Sequence, residues 1–111
     1  MILTPLPQAD GEIKTRPALV LRRLPPFGDF LVCGITTQIK LAVIGFDDVI
    51  RRADPDFLDS GLATDSLIRL GFLAVLPRSR IAGSIGSVSS QRHQRLLGRL
   101  SRHLLENVKE V

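Results

Sequence analysis

Helical periodicity is confined to the C-terminal end of this 111-residue chain, and that limits what the chain can fold into. Leu96, Leu100, Leu104 and Val108 recur every four residues, with Leu97 and Leu105 widening the stripe. The pattern predicts an amphipathic helix from Ser89 or Ser90, where a serine hydroxyl can cap the first free N–H groups, to about Lys109. Everything upstream is short apolar runs cut by proline and glycine. Ile2-Leu3 is a short apolar start. Thr4–Arg16 holds Pro5, Pro7 and Asp10-Gly11, which is loop and turn chemistry. Ala18–Leu21, opened by Pro17, and Phe30–Thr37 read as strands, with a turn at Pro25–Asp29 between them. Leu41–Asp59, with five aspartates, Arg51-Arg52 and Asp54-Pro55, reads as a long connection with one helical turn at most. Asp65–Leu70 and Phe72–Leu76 are two further strands separated by Gly71, and Arg78–Val88 reads as turns. Several strands followed by one helix predict a mainly β fold: a small, strongly bent sheet or barrel with a helix against it, in one domain spanning 1–111.

Several classes are excluded on composition. The longest apolar run, Leu70–Pro77, is far short of the ~20 residues of a membrane span. Met1-Ile2-Leu3 runs straight into Thr4-Pro5, so no signal peptide is read there. The lone Cys33 rules out an internal disulfide framework and fits a reducing cytoplasm; within a strand it is most simply a small buried hydrophobe. His93 and His103 have no cysteine or carboxylate at ligand spacing, so no metal is expected, and no other cofactor.

Charge is uneven along the chain. Residues 1–60 hold seven Lys/Arg and eight Asp/Glu, whereas 61–111 hold eight and three. Between Ser66 and Leu105 there are seven arginines and no carboxylate. Such a field suits phosphates or an acidic protein partner. Four of these arginines, Arg92, Arg95, Arg99 and Arg102, line the polar face of the predicted helix. A solvated face is the simpler reading of that stripe, direct phosphate binding the alternative. The aspartates of 47–59 fit no divalent-ion loop and read as a solvated connection. With no Trp or Tyr, base stacking would fall to Phe27, Phe30, Phe46 or Phe57, each more simply a core residue.

Two polar residues mark the open end of the first predicted hairpin. If the strands pair antiparallel about a turn near Pro26, Arg16 comes opposite Thr36. Pro17 biases Arg16 toward extended backbone. The bland alternatives are a surface ion pair of Arg16 with Glu12 or Asp10, and an ordinary strand threonine.

Four segments in order resemble the PemK/MazF toxins, small ribonucleases of bacterial toxin–antitoxin pairs. Lys14-Thr15-Arg16-Pro17-Ala18-Leu19-Val20-Leu21 resembles their R-P-x-L/V-V signature, and Gly34-Ile35-Thr36-Thr37-Gln38 their second strand end. Ser60-Gly61-Leu62 with Asp65–Leu70 resembles their G-L-x-x-x-S-x-V/I-R segment, and Ile85-Gly86-Ser87-Val88 their I-G-x-L/I element. The resemblance implies an SH3-like barrel, a symmetric homodimer and an acidic antitoxin partner. It also implies metal-free cleavage of single-stranded RNA by attack of a 2′-hydroxyl on the adjacent phosphodiester. Arg16 and Thr36 match the family's catalytic arginine and threonine; Lys14, Thr15, Thr37, Gln38 and Arg69 are the expected substrate contacts. Two departures stand out. Gly71 occupies the position of the aspartate in the R-x-D motif of the PemK branch, so an acid–base route through that carboxylate is closed. The R-G-D/E-I/V stretch that opens the family's first strand is not found at Met1–Pro5, so either the start is placed too far downstream or the first strand is shortened. The competing readings are a non-catalytic RNA- or antitoxin-binding module of the same fold, and a gyrase poison of the CcdB kind.

Overall fold

The computed structural model describes residues 1–7 and 10–106. Its strands are β1 (Ile2–Pro7), β2 (Ile13–Leu24), β3 (Asp29–Thr36), β4 (Asp48–Ile50), β5 (Ser66–Leu76) and β6 (Gly83–Ser84). Two α-helices, α1 (Phe57–Ser60) and α2 (Ser90–Leu105), and two 3-10 turns, Ile39–Leu41 and Arg78–Arg80, complete the described residues. The strands form one antiparallel sheet in the order β4-β5-β3-β2-β1-β6. Its two edges, β4 and β6, are three and two residues long. No described helix is long and apolar enough to cross a membrane.

Four strand expectations need correction. Arg78–Val88 is not turns throughout: Gly83–Ser84 is the edge strand β6, paired with Leu3 and Ile2. Thr4–Arg16 is not a loop throughout: it contains most of β1 and the start of β2. The prolines that suggested a loop sit where the strand tolerates them. β6 pairs with β1 only at Ile2 and Leu3, so Pro5 and Pro7 lie on an uncovered edge where no donor is needed. Asp48–Ile50, read as connection, is a short edge strand on β5. The two strands expected around Gly71 are one, interrupted by a bulge. Cys33 faces Leu73 while Gly34 faces Arg69, so Leu70, Gly71 and Phe72 have no partners across β3. Extra residues on one strand bend it and increase its twist, and this one wraps the sheet toward the helix.

The sheet buries a different core on each face. Leu19, Leu21, Cys33, Ile35, Ile68 and Leu70 point to the main core, closed by Phe57 and by Leu96 and Leu100 of α2. Ile2, Leu6, Ala18 and Val32 point the other way, with Val20, Phe30, Phe72, Ala74 and Leu76 half-buried beside them. This alternation is the two-residue period of a strand. Cys33 is fully buried, as expected, and burial pushes its thiol up to about 12. Two backbone runs meet where the G-L and I-G elements stand. Ser87 N–H donates to the Asp59 carbonyl at 2.7 Å. A Cβ on Gly61 would fall on the Ile85 carbonyl, and one on Gly86 on the Asp59 carbonyl. Gly61 also holds a left-handed φ of 75° as the C-cap of α1.

Helix α2 starts as expected, with Ser89 Oγ accepting from Arg92 N–H at 3.1 Å. It ends at Leu105; the predicted end at Lys109 lies outside the described residues. The reading of its arginines as a solvated face is overturned for three of the four. Arg92 is buried, and its guanidinium bonds Asp56 through Nε and Nη2, Asp48 through Nη1 and Asp54 through Nη2, at 2.8–3.0 Å. Arg95 reaches Asp48 at 2.8 Å, and Arg99 reaches the Asp47 carbonyl at 2.9 Å. Arg102 stays exposed. Four of the five aspartates of 47–59 are therefore not a solvated connection either; Asp59 stays exposed. Asp47 accepts from Val43 and Leu70 N–H groups, and the next three bind the helix. Stretches of opposite charge, far apart in sequence, meet as an ion-pair cluster that staples α2 to the β4–α1 segment.

The hydrogen bond from Arg92 holds the Asp56 carboxyl well below its usual range, despite burial acting in the opposite direction. Burial also works against the Arg92 charge, but the bonds and charge of Asp56, with Asp48 and Asp54, outweigh it and hold that guanidinium protonated beyond its ordinary range.

Candidate functional site

The residues singled out for chemistry lie on the second-core side of the sheet. In β2 and β3 the residues of one parity point to the main core, and Ala18, Gly34 and Val32 point away from it. The ladder sets Ala18 opposite Gly34. Two residues further along each strand, past that last ladder pair, stand Arg16 and Thr36, on the same face as Ala18 and Gly34. Arg16 is exposed and Thr36 half-exposed. On its other side Arg16 is paired with Thr4, a buried residue whose hydroxyl donates to the Arg80 carbonyl at 3.1 Å. In β5, Leu67 faces Thr36 and Arg69 faces Gly34. Arg69 is thus the diagonal neighbour of Thr36, at a backbone separation of about 7–8 Å. Arg16, Thr36 and Arg69 share one face, beside the small buried residues Ala18 and Gly34.

The other expected contacts divide. Lys14 keeps the parity of Arg16 and pairs with Glu12 at 3.9 Å, both largely exposed. Thr15 has the opposite parity and points to the other side of β2. Thr37 and Gln38 are exposed just past β3, where the Thr37 carbonyl accepts from Ile39 N–H and Gln38 N–H donates to Thr36 Oγ1 at 3.2 Å. That bond occupies an acceptor site of the Thr36 hydroxyl and leaves its proton free to donate outward.

Charge on this face is uncompensated. The proposed alternative for Arg16, an ion pair with Glu12 or Asp10, is not formed: Glu12 is taken by Lys14, and Asp10 accepts from Glu12 N–H at 3.0 Å. Among the described residues neither Arg16 nor Arg69 has a carboxylate partner. The contrast with Arg92 follows from where the acidic residues sit, since Asp48, Asp54 and Asp56 are all spent on α2. A guanidinium without a carboxylate keeps its planar fork of donors for a phosphate.

One residue of this face was not among the stacking candidates. Phe72 lies over Gly34, where an added Cβ would come 2.8 Å from Phe72 Cδ1, and the Arg69 Cζ stands 5.9 Å from the Phe72 ring centroid. Regular alternation sends residues 69 and 72 to opposite faces, and only the bulge at Leu70–Phe72 brings them together, so no sequence period signals it. Of the four phenylalanines that were considered, Phe57 is buried in the main core and Phe46 stacks on His103 at 4.9 Å, away from Arg16. Phe27 is exposed at the β2–β3 tip, and Phe30 lies half-buried beneath Arg23. At Gly71 a Cβ would meet only Phe46, at 3.9 Å, an ordinary contact. Space therefore does not demand glycine there; the missing carboxylate is a chemical difference from the R-x-D pattern, not a steric one.

Comparison with known proteins agrees with this architecture. A family described as the PemK-like, MazF-like toxin of type II toxin–antitoxin systems matches residues 1–110. Among solved structures, Mycobacterium tuberculosis toxin MazF-mt6 superposes with a TM-score of 0.66 at 18% identity, covering 97% of this chain and 100% of that one. No curated protein matches by sequence. The six-stranded antiparallel sheet with a C-terminal helix is the MazF toxin fold, and the chain belongs to the PemK-like, MazF-like family of type II toxin–antitoxin toxins.

Proposed function

We propose that this toxin is an endoribonuclease that cuts single-stranded RNA at the face carrying Arg16, Thr36 and Arg69. The observation that carries the reading is the convergence there of two arginines without carboxylate partners among the described residues and a threonine hydroxyl that accepts from Gln38 N–H and can donate outward. In the reaction the 2′-hydroxyl gives its proton to solvent as its oxygen attacks phosphorus, the bond to the 5′-oxygen breaks, and the products end in a cyclic phosphate and a 5′-hydroxyl; net, one proton leaves the 2′-oxygen and one reaches the 5′-oxygen. Arg16 stabilises the charge that gathers on the phosphoryl oxygens and, by family resemblance, delivers the proton to the departing 5′-oxygen. Thr36 donates to a phosphoryl oxygen or orients the nucleophile, and Arg69 holds a phosphate. Lys14, Thr37 and Gln38 border the same face as further contacts. No step draws on a metal. The toxin acts as a homodimer in the cytoplasm and is restrained by an acidic antitoxin segment that folds over the site and excludes RNA.

The test is incubation of the purified chain with single-stranded RNA in excess chelator. Cleavage leaves cyclic phosphate ends, a 2′-deoxy substitution at the cut site blocks it, and Arg16→Ala and Thr36→Ala each slow it about 10²–10³-fold while the fold is retained. Undiminished cleavage in Arg16→Ala overturns the reading. Gly71 favours one other possibility, a module that binds RNA without cutting it, because the carboxylate of the R-x-D motif is missing. Salt-sensitive RNA binding by the unmodified chain with no scission selects that module.

A further inference from the structure

We infer that the RNA path continues from the candidate site along β3 to a second phosphate seat made by Arg23 and Phe30. This rests on the reading of single-stranded RNA as the ligand. Arg23 pairs with Phe30 across the β2–β3 ladder, and its Cζ stands 4.9 Å from the Phe30 ring centroid. The geometry repeats that of Arg69 over Phe72. Both rings belong to the second core, so both guanidinium groups lie on the face that carries Arg16 and Thr36. Arg23 reaches that face because the register of β2 shifts between Val20 and Arg22, which reverses the parity of the strand beyond Leu21. Between the two seats run Val32 and Ala74, an opposed pair with short side chains. Phe30 and Gly34, the β3 positions beneath the two seats, are about 13 Å apart at ~3.3 Å per residue, about two nucleotide steps of an extended strand.

A ring beneath a guanidinium limits the rotamers of a long side chain before the ligand arrives, while its N–H donors remain available. Phe30 and Phe72 are then positioning residues, and Arg23 and Arg69 the phosphate contacts. A polyanion suits this face better than a second copy of the chain does. In a two-fold contact each patch meets itself. A patch holding Arg16, Arg23 and Arg69 would meet a second patch with the same three positive charges, and none of them has a carboxylate partner among the described residues to offset the repulsion.

The neighbouring Arg22 supplies the control. It is exposed, pairs with Leu31, and so lies on the opposite side of the hairpin. The experiment measures binding of the full chain to a single-stranded oligoribonucleotide with every 2′-hydroxyl methylated, across a salt series. Arg23→Gln lowers affinity about tenfold and reduces the slope of log affinity against log salt by about one, whereas Arg22→Gln changes either far less. Phe30→Leu weakens binding about threefold to tenfold in the native background and has no effect in Arg23→Gln, and Phe30→Tyr restores it. Equal losses for Arg22→Gln and Arg23→Gln overturn the track, leaving only diffuse attraction. A change of oligomeric state in Arg23→Gln that accounts for the lost binding also overturns it and makes the face a contact between copies. Because the RNA cannot be cut, the two readings fail separately. A chain that cleaves nothing but shows the Arg23 effect keeps the track and loses the nuclease; one that cleaves but treats Arg22 and Arg23 alike does the reverse.

Discussion

Arg92 and Arg16 are the same side chain in two opposite settings. Arg92 is buried under α2 with bonds to three aspartates. Arg16 is exposed on the sheet and has no acidic partner among the described residues. One arginine has its charge cancelled and its donors used, so it serves the fold. The other keeps both, so it can serve a ligand. The lesson concerns net charge. The arginine stripe of α2 reads in sequence as a solvated face, with phosphate binding the alternative, yet three of its four arginines pair with the acidic segment before it. The uncompensated charge lies on the sheet.

The comparison can be broken most decisively at Arg92. Arg92→Ala leaves Asp54 and Asp56 without their cation and Asp48 with only Arg95 and Arg99, and a loss of about 3–5 kcal/mol in denaturant unfolding is expected, as for other broken buried ion pairs. A loss below about 1 kcal/mol removes the structural role assigned to it. The reciprocal change, Arg16→Ala, is expected to shift unfolding by less than about 0.5 kcal/mol while cleavage falls about 10²–10³-fold. A stability loss like that of Arg92→Ala would erase the distinction between the two. Gly34→Ala probes the sheet face alone. Its methyl would press on Phe72, at a cost of about 1–3 kcal/mol, and would disturb the seat of Arg69, lowering RNA affinity. Within the cluster, Arg95→Ala tests how far burial matters. Its side chain is 43% exposed, so a loss of at most about 1 kcal/mol is expected although it shares Asp48 with Arg92.

The smallest and most specific effect is in pH. Asp56 has a folded-state pKa below its unfolded value, so its contribution is complete above the ordinary carboxylate range, ~3.9. It is lost as pH falls below that range toward the folded pKa. Asp54, held down chiefly by the Arg51 N–H bond and also by Arg92, acts in the same sense. Acid unfolding should begin below about pH 4 and become less steep in Asp56→Asn. An unchanged acid limb in that variant would place the acid sensitivity elsewhere.

Local pattern reached several elements. The β2–β3 hairpin, its turn, the capped start of α2 and the burial of Cys33 each follow from a few neighbouring residues, because turn chemistry and side-chain period are local properties. The edge strand β4 was not legible. Its three residues, Asp48–Ile50, carry too little pattern and form a strand only because β5 offers them a ladder. β1 was hidden by its prolines, whose tolerance depends on how far β6 reaches along it. The nearness of Arg16 and Thr36 at the open end of the hairpin was legible, but their register was not fixed by the turn: the pairs beside it, Arg22–Leu31 to Leu24–Asp29, would alone set Arg16 against Thr37, and the bulge between Val20 and Arg22 shifts the strand by one.

The sequence by itself determined a β-rich chain closed by one amphipathic helix, and the arginine and threonine at one end of the first hairpin. It did so because alternation, helical spacing and turn residues act over a few bonds. Only the tertiary structure decided which arginines remain free. That depended on Asp48, Asp54 and Asp56 folding against a helix about forty residues away, and on a bulge in β5 turning Phe72 onto the face of Arg69. Charge compensation acts through space, and neither a composition count nor a period contains the distances that set it.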